Sequence, residues 1–553
     1  MKRKNGWLIQ LGLLLVASLL FAGSFPNLLF KNGLSFLAWF AYIPVLLIIQ
    51  KNSVLQCTAW GAVYGVLSYF FFNYWLWTFH SVAGAVVYCI YLVYLAAVFL
   101  FLKLADILYP KKAYIVQWII WLAYEYLRTK GFLGYPYGIT GYSQWKAIPL
   151  IQIASITGVW GVSALVAFPS FWLAAALKDY AELSVSISAS VNAFFRKEKI
   201  PAIIWVAALS VSVVFGIVSI KDYSGKDFSD YPSAQIALVQ HNNDPWVASN
   251  AKTPWQVLEA YKKDLSILKR LSDEALASQP KPELVVWPET AFIPRIHWHT
   301  TYRKDQDLWL IVKELLDYLS TKDVPFLIGN DDARMDPVKN PDEKINYIVD
   351  YNAALLFEYG QITGIYRKLH LVPFTEHFPY KKQLPSIYRA LQRADTHFWE
   401  KGDEKTIFKV KNFSFSAPIC FEDTFGYISR DFVRRGADIL VNITNDAWAD
   451  SLPSQKQHLS MAVFRAVENY RYMVRSTASG QTCAVDPLGR VVTEAEPFTE
   501  TWINIKIPII KKDTIYTSYG DYLGIVFFIA AVILLLSPAV WYTINKMQKG
   551  CKQ

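Results

Sequence analysis

The chain has 553 residues, of which 53% are hydrophobic, 16% aromatic and only 18% charged, with a formal net charge of +10. That balance excludes a disordered chain and suits a polytopic membrane protein better than a soluble enzyme. The basic excess is compatible with anionic lipid at a membrane surface and gives no support for nucleic-acid binding.

Apolar stretches long enough to cross a bilayer, about 17–25 residues at helical rise, are expected near 7–23, 34–50, 56–79, 82–107, 113–128, 151–177, 203–220 and 521–543. The pattern predicts a membrane domain over 1–221, a polar domain over 222–520, and a final span with a tail over 521–553. The first stretch follows Lys2, Arg3 and Lys4 and ends in Phe21-Ala22-Gly23-Ser24, so a cleaved signal peptide is its rival reading. Lys51, Lys111, Lys112, Arg196, Lys197, Lys199, Lys546, Lys549 and Lys552 fall on one side of the expected spans, which makes that side cytoplasmic. Arg128, Lys130 and Lys146 run against this trend. The arrangement predicts both ends in the cytoplasm and 222–520 outside it, in the periplasm of a double-membraned bacterium.

Between the spans lies Gly131-Phe132-Leu133-Gly134-Tyr135-Pro136-Tyr137-Gly138-Ile139-Thr140-Gly141-Tyr142-Ser143-Gln144. Its composition favours an interfacial aromatic belt with turns over a re-entrant loop lining a lipid path. Glu125 and Arg128, one helical turn apart beside it, are expected to pair.

In the polar segment, short apolar runs predict strands at 234–240, 284–287, 325–329, 353–358, 413–419 and 437–443. Charged amphipathic runs predict helices at 253–275, 308–320 and 455–472. Interleaving of the two implies layered α/β architecture. Three residues with chemistry stand out in this segment: Glu289 in Trp287-Pro288-Glu289, Lys368 in Arg367-Lys368-Leu369-His370, and Cys420 in Pro418-Ile419-Cys420-Phe421-Glu422. A thiol nucleophile, a carboxylate base and a fixed cation are the parts of an acyl-transfer site. Glu289 would take the thiol proton, and Lys368 would favour the thiolate and stabilise an oxyanion. Taken singly, Glu289 and Lys368 would more simply be a surface ion pair. Cys483, the other cysteine of the segment, leaves a disulfide with Cys420 as an alternative in an oxidising compartment. Cys57 and Cys89 sit in apolar spans as packing residues. His297-Trp298-His299 has metal-like spacing but no clustered partners, so no metal and no organic cofactor is expected.

These stretches, in order, resemble the apolipoprotein N-acyltransferases, membrane-embedded members of the nitrilase (carbon–nitrogen hydrolase) superfamily. The resemblance rests on Trp287-Pro288-Glu289, on Lys368 with His370-Leu371-Val372-Pro373-Phe374 and Glu376, and on Cys420-Phe421-Glu422. Gly141–Gln144, Gly158-Val159-Trp160-Gly161 and Asn445-Asp446-Ala447-Trp448 add to it. It implies an αββα sandwich on a membrane base of about eight spans. It also implies Cys420 as nucleophile, Glu289 as proton acceptor and Lys368 as oxyanion-stabilising cation, with Glu376, Glu422 and Phe421 in support. A family tryptophan maps best to Trp255, with Trp246 as second choice. Phe421 stands where tyrosine is common, Thr375 where glycine is common, and Gln240–Trp246 departs from the family pattern.

The implied reaction is ping-pong acyl transfer through a thioester on Cys420. The donor is a phospholipid, phosphatidylethanolamine by resemblance, and the acceptor is the α-amino group of a diacylglyceryl-cysteine on an apolipoprotein. The implied setting is the bacterial inner membrane and the implied state a monomer. The competing functions are a membrane-tethered nitrilase-type amidase and a non-catalytic lipid-binding or transport protein. For the topology, a reporter fused near Gly225 is expected outside the cytoplasm and one after Lys546 inside. Cytoplasmic labelling at Gly225 would refute the span count or the orientation.

Overall fold

In a computed structural model the protein is described over residues 6–79, 81–183, 186–243, 251, 253–336, 348–393 and 398–550. It forms two compact units, Met1–Tyr223 with Tyr519–Gln553, and Ser224–Ser518.

The first unit is helical. Five helices in it are long and apolar enough to cross a membrane: Gly6–Gly23, Val54–Phe72, Gly84–Leu108, Val159–Lys178 and Lys199–Ser224. The remaining expected spans take other forms. The stretch near 34–50 is broken into a 3₁₀ turn Ser35–Trp39 and a helix Ile43–Lys51. The stretch near 113–128 is a helix of 15 residues, Ala113–Leu127, and the last helix is apolar over Tyr522–Ser537. The stretch near 151–177 begins as two single turns, Ile148–Ile151 and Ala154–Thr157, and only then becomes a long helix. Gly158, at φ +63°, makes the break.

The 131–144 loop is not an exposed aromatic belt. Ile139, Thr140, Tyr142, Ser143 and Gln144 are buried. Glu125 and Arg128 do not pair with each other; both hold this loop. Glu125 Oε1 accepts the Thr140 N–H at 3.0 Å and also the Thr140 hydroxyl. The Arg128 guanidinium donates to the carbonyls of Tyr135 and Tyr137 and lies 5.0 to 5.6 Å from the ring centres of Tyr69, Tyr91 and Tyr124. Two charges one turn apart were therefore better satisfied by buried backbone than by each other, a choice that sequence spacing cannot show.

The second unit is a sandwich of two six-stranded sheets. The strands are β1 Ser233–Gln240, β2 Leu284–Val286, β3 Phe326–Met335, β4 Ile348–Glu358, β5 Gln361–Arg367, β6 Phe408–Val410, β7 Phe413–Ser416, β8 Ile439–Thr444, β9 Tyr472–Thr477, β10 Cys483–Val485, β11 Val491–Glu494 and β12 Thr501–Pro508. One sheet runs β12-β1-β2-β3-β4-β5 and the other β11-β10-β9-β8-β7-β6. In each, three neighbouring strands are parallel: β1-β2-β3 and β7-β8-β9. The Ser476 hydroxyl of β9 ties the two sheets, reaching the carbonyls of Val239 and Val286 at 2.9 and 3.1 Å.

Helices cover the sheets because their apolar stripes need burial. Pro254–Ala277 starts at a capping box, Thr253 with Gln256, and buries Leu265, Leu268, Leu271 and Ala275. With Gln306–Ser320 it packs on Val239, Val285, Trp287 and Phe326. The Trp287 indole N–H is satisfied by the Ser272 hydroxyl at 2.8 Å.

Predicted boundaries move, and edge strands escape the pattern. The strand expected over 413–419 stops at Ser416, because Pro418 has no N–H to give the ladder. The helix expected over 455–472 spans Leu452–Asn469 and ends at Tyr470 in a left-handed conformation, φ +51°, after which Tyr472 starts β9. The β5 and β12 strands, at the sheet edges, are only part-buried and carry too weak an apolar alternation to read.

Removing the Glu125 carboxylate tests the loop anchor. Glu125→Ala orphans the buried Thr140 N–H, at about 1–3 kcal/mol, and leaves the Thr140 hydroxyl with only Tyr42 as partner. Hydrogen exchange across 134–145 is expected to accelerate at least tenfold; unchanged exchange would show that the loop holds itself.

Candidate active site

The chemistry-bearing residues leave the carboxyl ends of strands, where α/β folds present their ligands. Glu289 follows β2, Lys368 follows β5, and Cys420 lies four residues beyond β7. A single bridge between Ile419 and Ile443 carries the β7 direction to the cysteine. Cys420 opens a 3₁₀ turn, Cys420–Thr424, in a left-handed conformation with φ +50°. Such a conformation costs a non-glycine residue about 1–3 kcal/mol and needs external support. The Asn442 side-chain amide supplies some, donating to the Pro418 carbonyl at 3.0 Å and that of Cys420 at 3.4 Å.

Glu289 is buried at 4% exposure. Its Oε1 accepts from the Asn352 amide at 2.8 Å and lies 3.5 Å from Lys368 Nζ; its Oε2 accepts the Asn445 N–H at 2.9 Å. Gly329 on β3 makes room for this turn. A Cβ there would collide with the Pro288 carbonyl and stand 2.7 Å from Glu289 Cα.

Lys368 is fully buried, and its Nζ donates to Glu376 Oε1 at 2.7 Å. Burial opposes its charge, but Glu376 and Glu289 outweigh burial and hold the ammonium protonated well above the ordinary lysine range. Lys368 is thus a permanent cation and not a proton carrier. Glu376 also accepts the Val372 N–H at 2.9 Å, and burial raises its carboxyl despite the lysine. The Cys420 thiol is pushed up by burial and then by Glu289, against the pull of Lys368 and a hydrogen bond with Thr444. Burial and the neighbouring carboxylates thus favour the thiol over the thiolate, with Lys368 pulling the other way.

Glu422 has a different place from Glu376. It is fully buried and receives the N–H groups of Leu369 at 2.7 Å, His370 at 3.0 Å and Ile419 at 2.8 Å, with the Tyr366 hydroxyl at 2.8 Å. Burial pushes its carboxyl up to about 7, against these donors and Lys368. One side chain therefore binds the backbone after Lys368 to the backbone before Cys420. Phe421 is 6% exposed and packs edge-on against Phe425, with the His370 ring centre 4.0 Å from that of Phe425 and 5.8 Å from that of Phe421. Burial drops the His370 imidazole to about 3, so it is neutral.

Among the described residues, then, Glu289, Lys368, Glu376, Cys420, Phe421 and Glu422 come together. Trp255 does not join them: it sits on the first turn of its helix, 63% exposed, with Lys262 Nζ 5.3 Å from its ring centre. Trp246 lies outside the described residues. Cys420 and Cys483 are free thiols, and burial pushes the Cys483 thiol up to about 12. No group of three His, Cys, Asp or Glu side chains suited to a metal occurs among the described residues. Sequence reasoning missed Asn352 and Gly329, for which no local signal exists. It noted Asn445 within a motif but gave it no role.

A family model for carbon-nitrogen hydrolases matches residues 235–512, and one for the apolipoprotein N-acyltransferase N-terminal domain matches residues 17–172. The chain is 42% identical to apolipoprotein N-acyltransferase 1 of Treponema denticola, over 98% of this chain and 97% of that protein. It is 43% identical to the protein of the same name from Treponema pallidum, over 97% of each. Among solved structures it is similar to Saccharomyces cerevisiae Nit3, of the nitrilase superfamily, at 18% identity and a TM-score of 0.33, covering 51% of this chain and 92% of that one.

The bridging place of Glu422 makes a prediction. Glu422→Gln turns one acceptor oxygen into a donor facing buried N–H groups, at about 1–3 kcal/mol. Alkylation of Cys420 by iodoacetamide is expected to slow about 10- to 100-fold with the domain still folded by circular dichroism. Wild-type alkylation would show that the two backbones hold their places without it.

Proposed function

The chain belongs to the apolipoprotein N-acyltransferase family, and from that premise we propose how its residues divide the work of acyl transfer. It is an N-acyltransferase and a multi-pass bacterial membrane protein, with lipid and lipoprotein as its substrates. In the proposed first half-reaction Glu289 takes the Cys420 proton as the sulfur attacks the ester carbonyl of a phospholipid, for which phosphatidylethanolamine is our candidate. Lys368 faces the oxyanion. The carbon–oxygen bond breaks, the lysophospholipid alkoxide takes the proton back from Glu289, and a thioester remains on Cys420.

In the second half-reaction the α-amino group of a diacylglyceryl-cysteine attacks that thioester. Glu289 accepts the amine proton, the carbon–sulfur bond breaks, and the proton passes to the departing sulfur. Each half-reaction begins and ends with Glu289 ionised and Lys368 charged, so the site resets itself. The observation that supports this reading most is one buried ammonium shared between Glu289 and Glu376, beside a thiol that burial keeps protonated. Such a site needs a base and holds one, and its cation has no proton to spare.

We further propose that the membrane part is 1–221 with 521–553, that 222–520 carries the chemistry on the periplasmic side of the inner membrane, and that the protein acts as a monomer. The basic residues of the short loops support the orientation.

Mass spectrometry of Cys420 after incubation with phospholipid tests the roles. Cys420→Ala is expected to carry no acyl adduct, whereas Cys483→Ala keeps most activity. Glu289→Gln should fail to form the thioester, and Lys368→Ala should lose at least about 10²–10³ in its formation, the usual loss for one oxyanion donor. A normal thioester in Glu289→Gln that stalls only when acceptor is added would overturn the base role in acylation.

A further inference from the structure

Beside the site lies a closed ring of four buried charges that the mechanism does not use. Asp423 is in the Cys420 turn, Asp446 follows β8, His458 is on the helix Leu452–Asn469, and Arg475 is on β9. Their side chains are at most 6% exposed. His458 Nε2 is 2.6 Å from Asp423 Oδ1, and its Nδ1 is 2.9 Å from Asp446 Oδ1. Arg475 binds the other oxygen of each carboxylate, that of Asp423 through Nη1 and that of Asp446 through Nη2 at 3.3 Å. A carboxylate oxygen faces each imidazole nitrogen, which favours protons on both, although Arg475 Nη2 also lies 3.4 Å from Nδ1. Two anions and two cations then cancel, which a dry interior requires.

The ring touches both partners of the first proton transfer. Asp423 is three residues from Cys420. Asp446 follows Asn445, whose N–H binds Glu289 Oε2 at 2.9 Å. The Thr444 hydroxyl donates to Asp446 Oδ1 at 3.3 Å, next to Ile443, which bridges to Ile419 beside the cysteine. Gly480 lets Asp446 lie this close, since a Cβ there would stand 2.7 Å from Asp446 Oδ2.

We propose that His458 is a positioning residue, which by joining Asp423 to Asp446 sets the nucleophile turn against the base. The proposal rests on the acyl-transfer reading for its purpose, whereas the alkylation arm of its test does not; in the thioester arm, no thioester at any pH fails that reading, and a pH-independent one fails the proposal. Burial opposes the imidazolium, yet Asp423 and Asp446 outweigh burial and Arg475 and raise His458 to about 9. These three are the charged groups that face it, from the nucleophile turn, the turn after β8, and β9. Its folded value lies above the unfolded one of about 6.5. The clamp is therefore complete below about 6.5 and lost as pH rises through about 9.

The test uses the full chain in detergent and iodoacetamide, which reads the Cys420 thiol with neither lipid nor lipoprotein present. His458→Asn can bridge only one carboxylate and leaves the ring with a net negative charge. Its Cys420 alkylation at pH 8 is expected to be at least tenfold slower, with the rise of rate with pH displaced upward. Asp423→Asn combined with His458→Asn restores neutrality and should recover part of that rate. A wild-type profile in His458→Asn, or a double variant no faster than the single, would overturn the proposal. Should His458→Asn not fold, the wild type decides. Thioester formation should fall reversibly as pH rises through about 9 while tryptophan fluorescence reports a folded domain, and constant formation up to pH 10 would overturn it.

Discussion

A fully buried ammonium is tolerated only when anions surround it, and the arrangement of the catalytic unit follows from that requirement at Lys368. Its two carboxylates come from different parts of the chain: Glu289 after β2, and Glu376 from the segment that follows Lys368 itself. The lysine and the two carboxylates offset the cost of one another's burial. The three are therefore correct together or not at all. The cysteine is placed in the field of this triad, with Glu289 and Glu376 raising its proton affinity and Lys368 lowering it.

The same logic recurs one layer out. Glu422 gathers backbone donors from two separate segments, and the Asp423–His458–Asp446–Arg475 ring balances its charges in pairs. Strain at Cys420 is held by these contacts, as expected where backbone is kept outside its preferred region for function. The cost is conformational specificity that must be built from many buried polar groups, each with a partner.

Much of this was legible before any coordinates. Apolar length separated membrane from polar segments, and the flanks of Glu289, Lys368 and Cys420 announced a site, with predicted strands leading into Glu289 and Cys420. What was not legible depends on distance in space. Glu125 and Arg128 are one turn apart and choose the 131–144 loop over each other. The left-handed Tyr470 ends a helix that periodicity alone continues. Glu422 read as a supporting residue, but its hold on the backbone of both the Lys368 and the Cys420 segments shows only in space. Trp255 carried a family resemblance and lies on the surface. His458 has no motif of its own; only its two bonds reveal it.

The protonated state of the two thiols in this unit has a redox consequence. Oxidants and disulfides react with thiolate, and the thiolate fraction falls tenfold for each unit by which the thiol is raised. Burial holds the Cys420 proton in place until a base removes it, and it pushes Cys483 to about 12. A cysteine activated in advance would be exposed to sulfenic acid formation and mixed disulfides throughout its resting life. In the proposed mechanism, activation on demand by Glu289 would confine that hazard to the moment of acyl transfer.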